Sequence, residues 1–335
     1  MNPHDIAFAG GFYELLLGFE PGDDTVPDIP EAPSQSDSFA GRPACQEQFR
    51  ALWPQMVADQ PADVAYRRLY YYLHKLVDQA IGRILDALEA SGMADDTIVV
   101  FTSDHGDLLG AHGGLQQKWA NAFDEATRVP MVIRGPGVNP VPGGITAPTS
   151  HVDLIPTLMG LAGIDVEHAT EQVRKRHTEA HPLPGRDLSG AITGRDSTAT
   201  IDAPVYFMTE DAVTRGLSQR NVLSGDPFES IDAPACIESI VASLPTGTDG
   251  ADELWKLNHY YDRLDDWHAD HGFEPDPFAP PAGEASWELH NLTRDPEERA
   301  NLADEAGDER SRLLTLLEAQ REEKRLLPTF RNPTA

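Results

Sequence analysis

From Tyr66 onward, apolar residues recur at three- and four-residue steps: Leu69, Leu73, Leu76, Val77, Ala80, Ile81, Ile84, Leu85 and Leu88. That spacing predicts an amphipathic helix with one wide apolar stripe, and Gly92 is its natural stop. The period then changes. Thr97-Ile-Val-Val-Phe-Thr102 is rich in β-branched residues and apolar on both faces, as expected of a strand in a mostly parallel sheet covered by helices on each side. Val129 to Arg134, closed by Gly135-Pro-Gly137, predicts a second strand, and Val205 to Met208 a third. Asp153 to Gly163 reads as a helix, with Asp153 as cap, Pro156 in the tolerated first turn and Gly163 at the end. Helix alternating with buried strand predicts an α/β fold, a sheet layered between helices.

Two stretches break the alternation. Residues 20–64 are rich in Pro, Asp, Gly and Ser and predict an extended surface excursion. Beyond about residue 215 the texture is irregular, with aromatic islands at Trp255, Tyr260-Tyr261 and Trp267, until residues 308–327 form a terminal amphipathic helix around Leu313, Leu314, Leu316 and Leu317. The expected organisation is an α/β domain over residues 1–215 and a smaller C-terminal α+β subdomain over residues 216–335.

Charge narrows the partners. The 335 residues carry 26 Lys plus Arg against 55 Asp plus Glu, a net charge of −29, and such a field repels nucleic acid and anionic lipid. Only five of the basic residues are Lys, and the acidic ones are scattered rather than gathered in a tail, which suits a protein kept dispersed in high salt or one from an acid-rich proteome. No window approaches about 18 uncharged apolar residues, so neither a membrane span nor a secretory signal is expected. Cys45 and Cys236 stand far apart, outside any CxxC pairing, and predict a reducing, cytoplasmic location.

Candidate chemistry gathers where the first strand ends, because ligands of open α/β sheets collect at the carboxyl ends of strands. Asp104-His105-Gly106 sits there. At a strand end breaking into a glycine loop, a carboxylate and an imidazole can swing toward one divalent cation, which would organise an anionic substrate. Alone, the tripeptide is better explained by a capping Asp and a surface His.

The surrounding text changes that balance. Thr97 to Gly113, then Gln117-Lys118 to Gly137, closely resembles the metal-binding core of the sulfatase family, in the alkaline phosphatase superfamily. Ser150 to Gly163 and Trp287 to Ala303 resemble two further blocks of that family, in the right order, and Met1-Asn-Pro-His-Asp5 looks like its internal Pro-His motif. The resemblance implies a partial alkaline-phosphatase-like sheet. It also implies a sulfatase-type sulfuric ester hydrolase acting on a small-molecule sulfate ester, with calcium (or Mg or Mn) held by Asp104 and His105. Lys118 and His4 would be the catalytic contacts to the sulfate and the leaving-group oxygen, and His112 would line the substrate pocket. His74, His168, His177 and His181 are expected to be solvated or structural.

The resemblance is to the second half of the family only. Its nucleophile is a formylglycine made in a C/S-x-P/A-x-R signature, and neither Cys45, in Pro-Ala-Cys-Gln-Glu-Gln, nor Cys236, in Pro-Ala-Cys-Ile-Glu-Ser, sits in one. The chain is therefore expected to begin mid-family, to bind metal weakly and to turn over no sulfate ester alone. Its exposed sheet edge would favour a dimer or a complementing chain. Two alternatives stand beside the sulfatase expectation: a phosphonate or phosphate ester hydrolase of the same superfamily, and a non-catalytic remnant or binding module.

Overall fold

The computed structural model describes residues 29–56, 63–139, 144–177, 180–196, 202–210, 219–221, 224–262 and 284–325. His4, Trp267 and the start of the 20–64 stretch lie outside them. The chain divides into two compact units, one of residues 1–135 with 210–236 and 297–299, the other of residues 136–209, 237–296 and 300–335.

The first unit holds helices α1 (Ala44–Met56) and α2 (Asp63–Ser91), strand β1 (Val99–Thr102), the single turn α3 (Asp124–Thr127) and strand β2 (Met131–Arg134). Its core gathers Phe49, Trp53, Leu108, Ala111, Leu115, Phe123 and Ala126. Helix α1 falls within the stretch expected to be an extended excursion. Cys45, Phe49, Leu52 and Trp53 are its buried stripe, a helical spacing masked by the prolines around it and by Pro54 inside it.

Helix α2 confirms the predicted stripe and its stop, with Gly92 in the left-handed region at φ 73°. Leu69 is buried, yet Tyr71, Val77 and Ile84 further along are exposed. The strand pair differs from expectation too. β1 pairs with β2 antiparallel, Val99 opposite Arg134 and Thr102 opposite Met131, rather than lying in a parallel sheet. Phe101, Met131 and Val132 are exposed. Apolar residues on both faces predict cover on both faces, and among the described residues the ribbon is only two strands wide.

The second unit contains α4 (Leu154–Leu161), α5 (Val166–Arg174), α6 (Ser189–Ile192), strands β3 (Val205–Thr209), β4 (Cys236–Leu244), β5 (Glu253–Tyr261) and β6 (Ser286–Asn291), and α7 (Gly307–Lys324). The sheet order is β3-β4-β5-β6, with β3–β4 and β5–β6 antiparallel. Leu313 and Leu317 of α7 pack on Ile240, Leu257 and Leu289. Asp153 precedes α4 as expected, but its side chain makes no cap bond to that helix; it closes a reciprocal pair with Ser150, the cap of the short 3-10 turn His151–Asp153, and accepts from the Arg186 guanidinium at 2.9 Å. Strands β4 and β5 fall in the region expected to be irregular, because Glu238, Lys256 and Asn258 are buried within them and interrupt the apolar pattern. Among the described residues no helix is long and apolar enough to cross a membrane.

Candidate functional site

The site is one loop of the first unit, from the end of β1 through residue 120. Asp104 opens it. Its carboxylate accepts the His105 backbone N–H at 2.9 Å, and that bond, with the charges of His105 and Lys118 adding to it, holds the carboxyl below its ordinary pKa. His105 Nδ1 lies 2.8 Å from the Gly106 carbonyl oxygen. A carbonyl can only accept, so Nδ1 donates to it, which fixes the ring and leaves Nε2 facing Asp104. That Nε2 stands 3.3 Å from Asp104 Oδ2, whose side chain is 84% exposed. A ring fixed through Nδ1 with Nε2 beside a solvent-facing carboxylate is a donor pair suited to a cation. Among the described residues no group of three or more His, Cys, Asp or Glu side chains gathers around one point. The fit to a divalent ion is therefore that of two ligands out of the six or more that calcium takes.

Gly106 explains how the turn is braced. Its N–H donates to the Ala126 carbonyl at 2.9 Å, and a Cβ at Gly106 would stand 1.9 Å from the Glu125 carbonyl oxygen. Only glycine lets the Asp-His turn lie against α3 this closely.

Asp107, one residue on, does a different job. Its Oδ1 accepts the N–H groups of Leu109 at 2.9 Å and Gln117 at 3.1 Å, and its Oδ2 accepts from the Tyr66 hydroxyl at 3.4 Å. Burial raises its pKa against the pull of those donors. The carboxylate thus folds the loop back on itself. Non-glycine residues at positive φ follow: Leu109 at 47°, His112 at 51°, Gln117 at 60° and Ala120 at 58°. Each costs on the order of 1–3 kcal/mol and persists only where neighbours over-determine it.

Lys118 sits on this wound segment, half-buried, its ammonium 4.8 Å from the centre of the Trp119 ring. Its positive charge contributes to the lowered pKa of Asp104, after the His105 backbone bond and the charge of His105. His112 is placed otherwise than expected. It is completely buried, stacked on Phe123 at 3.7 Å, with Nδ1 3.2 Å from Arg42 Nη1 and Nε2 3.0 Å from Glu125 Oε2. No face of that ring is left for a substrate.

Asp107, Arg42 and Glu125 were not singled out from the sequence. Asp107 was readable, as the second acid of Asp-His-Gly-Asp; Arg42 and Glu125 reach the site only through the fold. A further stretch was overlooked: Ser38-Phe-Ala-Gly-Arg42 spells the serine form of the five-residue signature that neither cysteine fits. Ser38 is exposed, and Arg42 is committed to the His112 ring and, at 3.5 Å, to Asp37.

Comparison with known proteins bears on this loop directly. Residues 25–164 match the family model described as Sulfatase. The chain is 43% identical over 103 residues to a choline-sulfatase of Rhizobium meliloti, an alignment covering 30% of this chain and 19% of that relative. In fold it is similar to a protein solved in complex with its substrate D-glucosamine-2-N,6-O-disulfate (TM-score 0.53, 19% identity, 88% of this chain and 60% of that one). It is also similar to the phosphonate monoester hydrolase of Agrobacterium radiobacter (TM-score 0.54, 21% identity, 92% of this chain and 53% of that one). The matched length is thus about a fifth of the curated relative and little more than half of the solved ones.

Proposed function

We propose, from the premise that residues 25–164 are a sulfatase-family segment, that this chain supplies the cation-and-oxyanion side of a sulfuric ester hydrolase site. The observation that carries it is the His105 ring held through Nδ1 with Nε2 at 3.3 Å from the exposed Asp104 carboxylate. Asp104 and His105 are two ligands of a divalent cation, calcium first because the remaining shell is open to oxygen donors, Mg or Mn second. That ion, when bound, neutralises charge on the ester. Lys118 presents its ammonium to oxygens that gain charge as the ester bond breaks, where such donors act most strongly. His4 serves the leaving-group oxygen. The substrate is a small-molecule sulfate ester; the sulfated sugar bound by a fold relative is of that class. The β1–β2 ribbon, with Phe101, Met131 and Val132 exposed, is the edge at which a complementing chain or second copy would join. Cys45 and Cys236, both buried and outside any disulfide among the described residues, suit a reducing interior.

Aryl sulfate and aryl phosphonate, offered to the purified full chain with Ca2+, Mg2+ or Mn2+, test the assignment together with mass spectrometry of the peptide holding Ser38. The expected result is no turnover and an unmodified Ser38, because two cation ligands do not make a shell. Sulfate ester hydrolysis at an enzyme-like rate, or Ser38 found two hydrogens lighter as formylglycine, would overturn the half-site and make this a working enzyme. Turnover of the phosphonate alone would favour the other ester class.

A further inference from the structure

His112 is the completely buried imidazole of the loop, bonded through both ring nitrogens, and it faces inward. Arg42 only donates, so the Nδ1 it meets at 3.2 Å must accept, and the ring proton then sits on Nε2, where it donates to Glu125 Oε2 at 3.0 Å. Arg42 is itself steadied by Asp37, which the Arg299 guanidinium bonds at 2.6 Å; that bond, resisted by burial, holds the Asp37 carboxyl below its ordinary pKa. The chain Arg299–Asp37–Arg42 therefore fixes which nitrogen of His112 carries the proton.

The other side of the ring reaches both parts of the site. Glu125, which Nε2–H grips, is the residue whose carbonyl presses on Gly106 beneath Asp104 and His105. The backbone of His112 is one of the left-handed points of the loop that leads to Lys118. Its own N–H is tied to Ser34 Oγ at 3.1 Å, and the next carbonyl accepts from Arg50 Nε at 2.8 Å.

We propose that His112 is a positioning residue: locked as the Nε2–H tautomer by Arg42, it clamps Glu125 and so sets the spacing between the Asp104–His105 turn and Lys118. The role presupposes the cation-binding reading of Asp104 and His105. It accounts for why a strained, non-glycine φ is kept at this position.

The test is Mn2+ binding by the full chain, read as free Mn2+ by electron paramagnetic resonance, in the parent, His112→Phe and His112→Gln. Phenylalanine keeps the stack on Phe123 and loses both ring nitrogens, whereas glutamine keeps one acceptor and one N–H. We expect at least a fivefold weaker Mn2+ affinity in His112→Phe and recovery to within about twofold in His112→Gln. If His112→Phe does not fold, Glu125→Ala replaces it, with the same weakening expected. In parallel, 15N chemical shifts of the imidazole report the tautomer. A folded clamp variant that binds Mn2+ as the parent does, or a ring protonated on Nδ1, overturns the proposal while leaving the site reading intact. A parent that binds no Mn2+ sinks the site reading, and the positioning role falls with it.

Discussion

Glu238 and Asp104 are two carboxylates of the same chain put to opposite uses. Glu238, on β4, is completely buried and ringed by donors: the Arg321 guanidinium at 2.7 Å and 3.1 Å, Arg325 Nε at 3.1 Å and the Tyr206 hydroxyl. Burial alone would raise its pKa, yet His259, Arg321 and Tyr206 outweigh it and hold the group down at about 2. Asp104 is largely exposed, and its partners among the described residues are its own neighbours, the His105 backbone N–H and ring and the Ser103 hydroxyl. A carboxylate whose lone pairs are all taken stabilises the fold and can bind nothing else. One that is solvent-facing beside an oriented imidazole adds little stability and is open to a ligand.

The contrast is broken most forcefully at Glu238. Glu238→Ala leaves Arg321 and Arg325 without their shared anion, and removing one partner of a buried ionic cluster costs about 3–5 kcal/mol. A urea midpoint for the second unit's unfolding that moves by less than about 1 kcal/mol equivalent would show that the clamp is not holding α7 to the sheet.

Acid sharpens the same difference. The folded pKa of Glu238 lies below its unfolded value, so its stabilisation is fully present above pH 4.5 and is lost as pH falls toward about 2. A depression of that size corresponds to roughly 3 kcal/mol. Stability measured across this window should therefore slope downward with falling pH in the parent and more gently in Glu238→Gln. Parallel slopes would contradict the assignment.

Gly106→Ala tests the loop from its backbone. The added methyl would stand 1.9 Å from the Glu125 carbonyl, so the turn must shift, at a cost of about 1–3 kcal/mol by analogy with overpacked cores. Thermal unfolding of the variant gives the cost directly, and an unchanged midpoint would mean that the close approach is not kept in solution.

Much of this was legible from residue order alone. The α2 stripe with its Gly92 stop and the Leu313–Leu317 face of α7 are written as apolar spacings, and the α4 segment is marked by Pro156 in its first turn and Gly163 after its end. The Asp104-His105-Gly106 turn was legible as well, because a glycine break after an apolar strand is a local signal. What was not legible depends on partners distant in sequence. Helix α1 hides among prolines, and β4 and β5 carry Glu238, Lys256 and Asn258 inside a sheet, where polar residues interrupt the alternation that marks a strand. The burial of His112 follows from Arg42 and Glu125, seventy residues before it and thirteen after. The apolar ribbon misled in the opposite direction: apolar faces state what a strand is suited to pack against, not what lies there.

The smallest expected effect on stability is the most informative about function. Asp104→Asn alters an exposed group and should change unfolding by less than about 0.5 kcal/mol, yet it removes one of two proposed cation ligands. Mn2+ titrated into the parent and into Asp104→Asn, with free metal read by paramagnetic resonance, should show weak binding in the parent and at least a tenfold loss in the variant. Equal affinity in the two proteins would contradict a cation site at the end of β1.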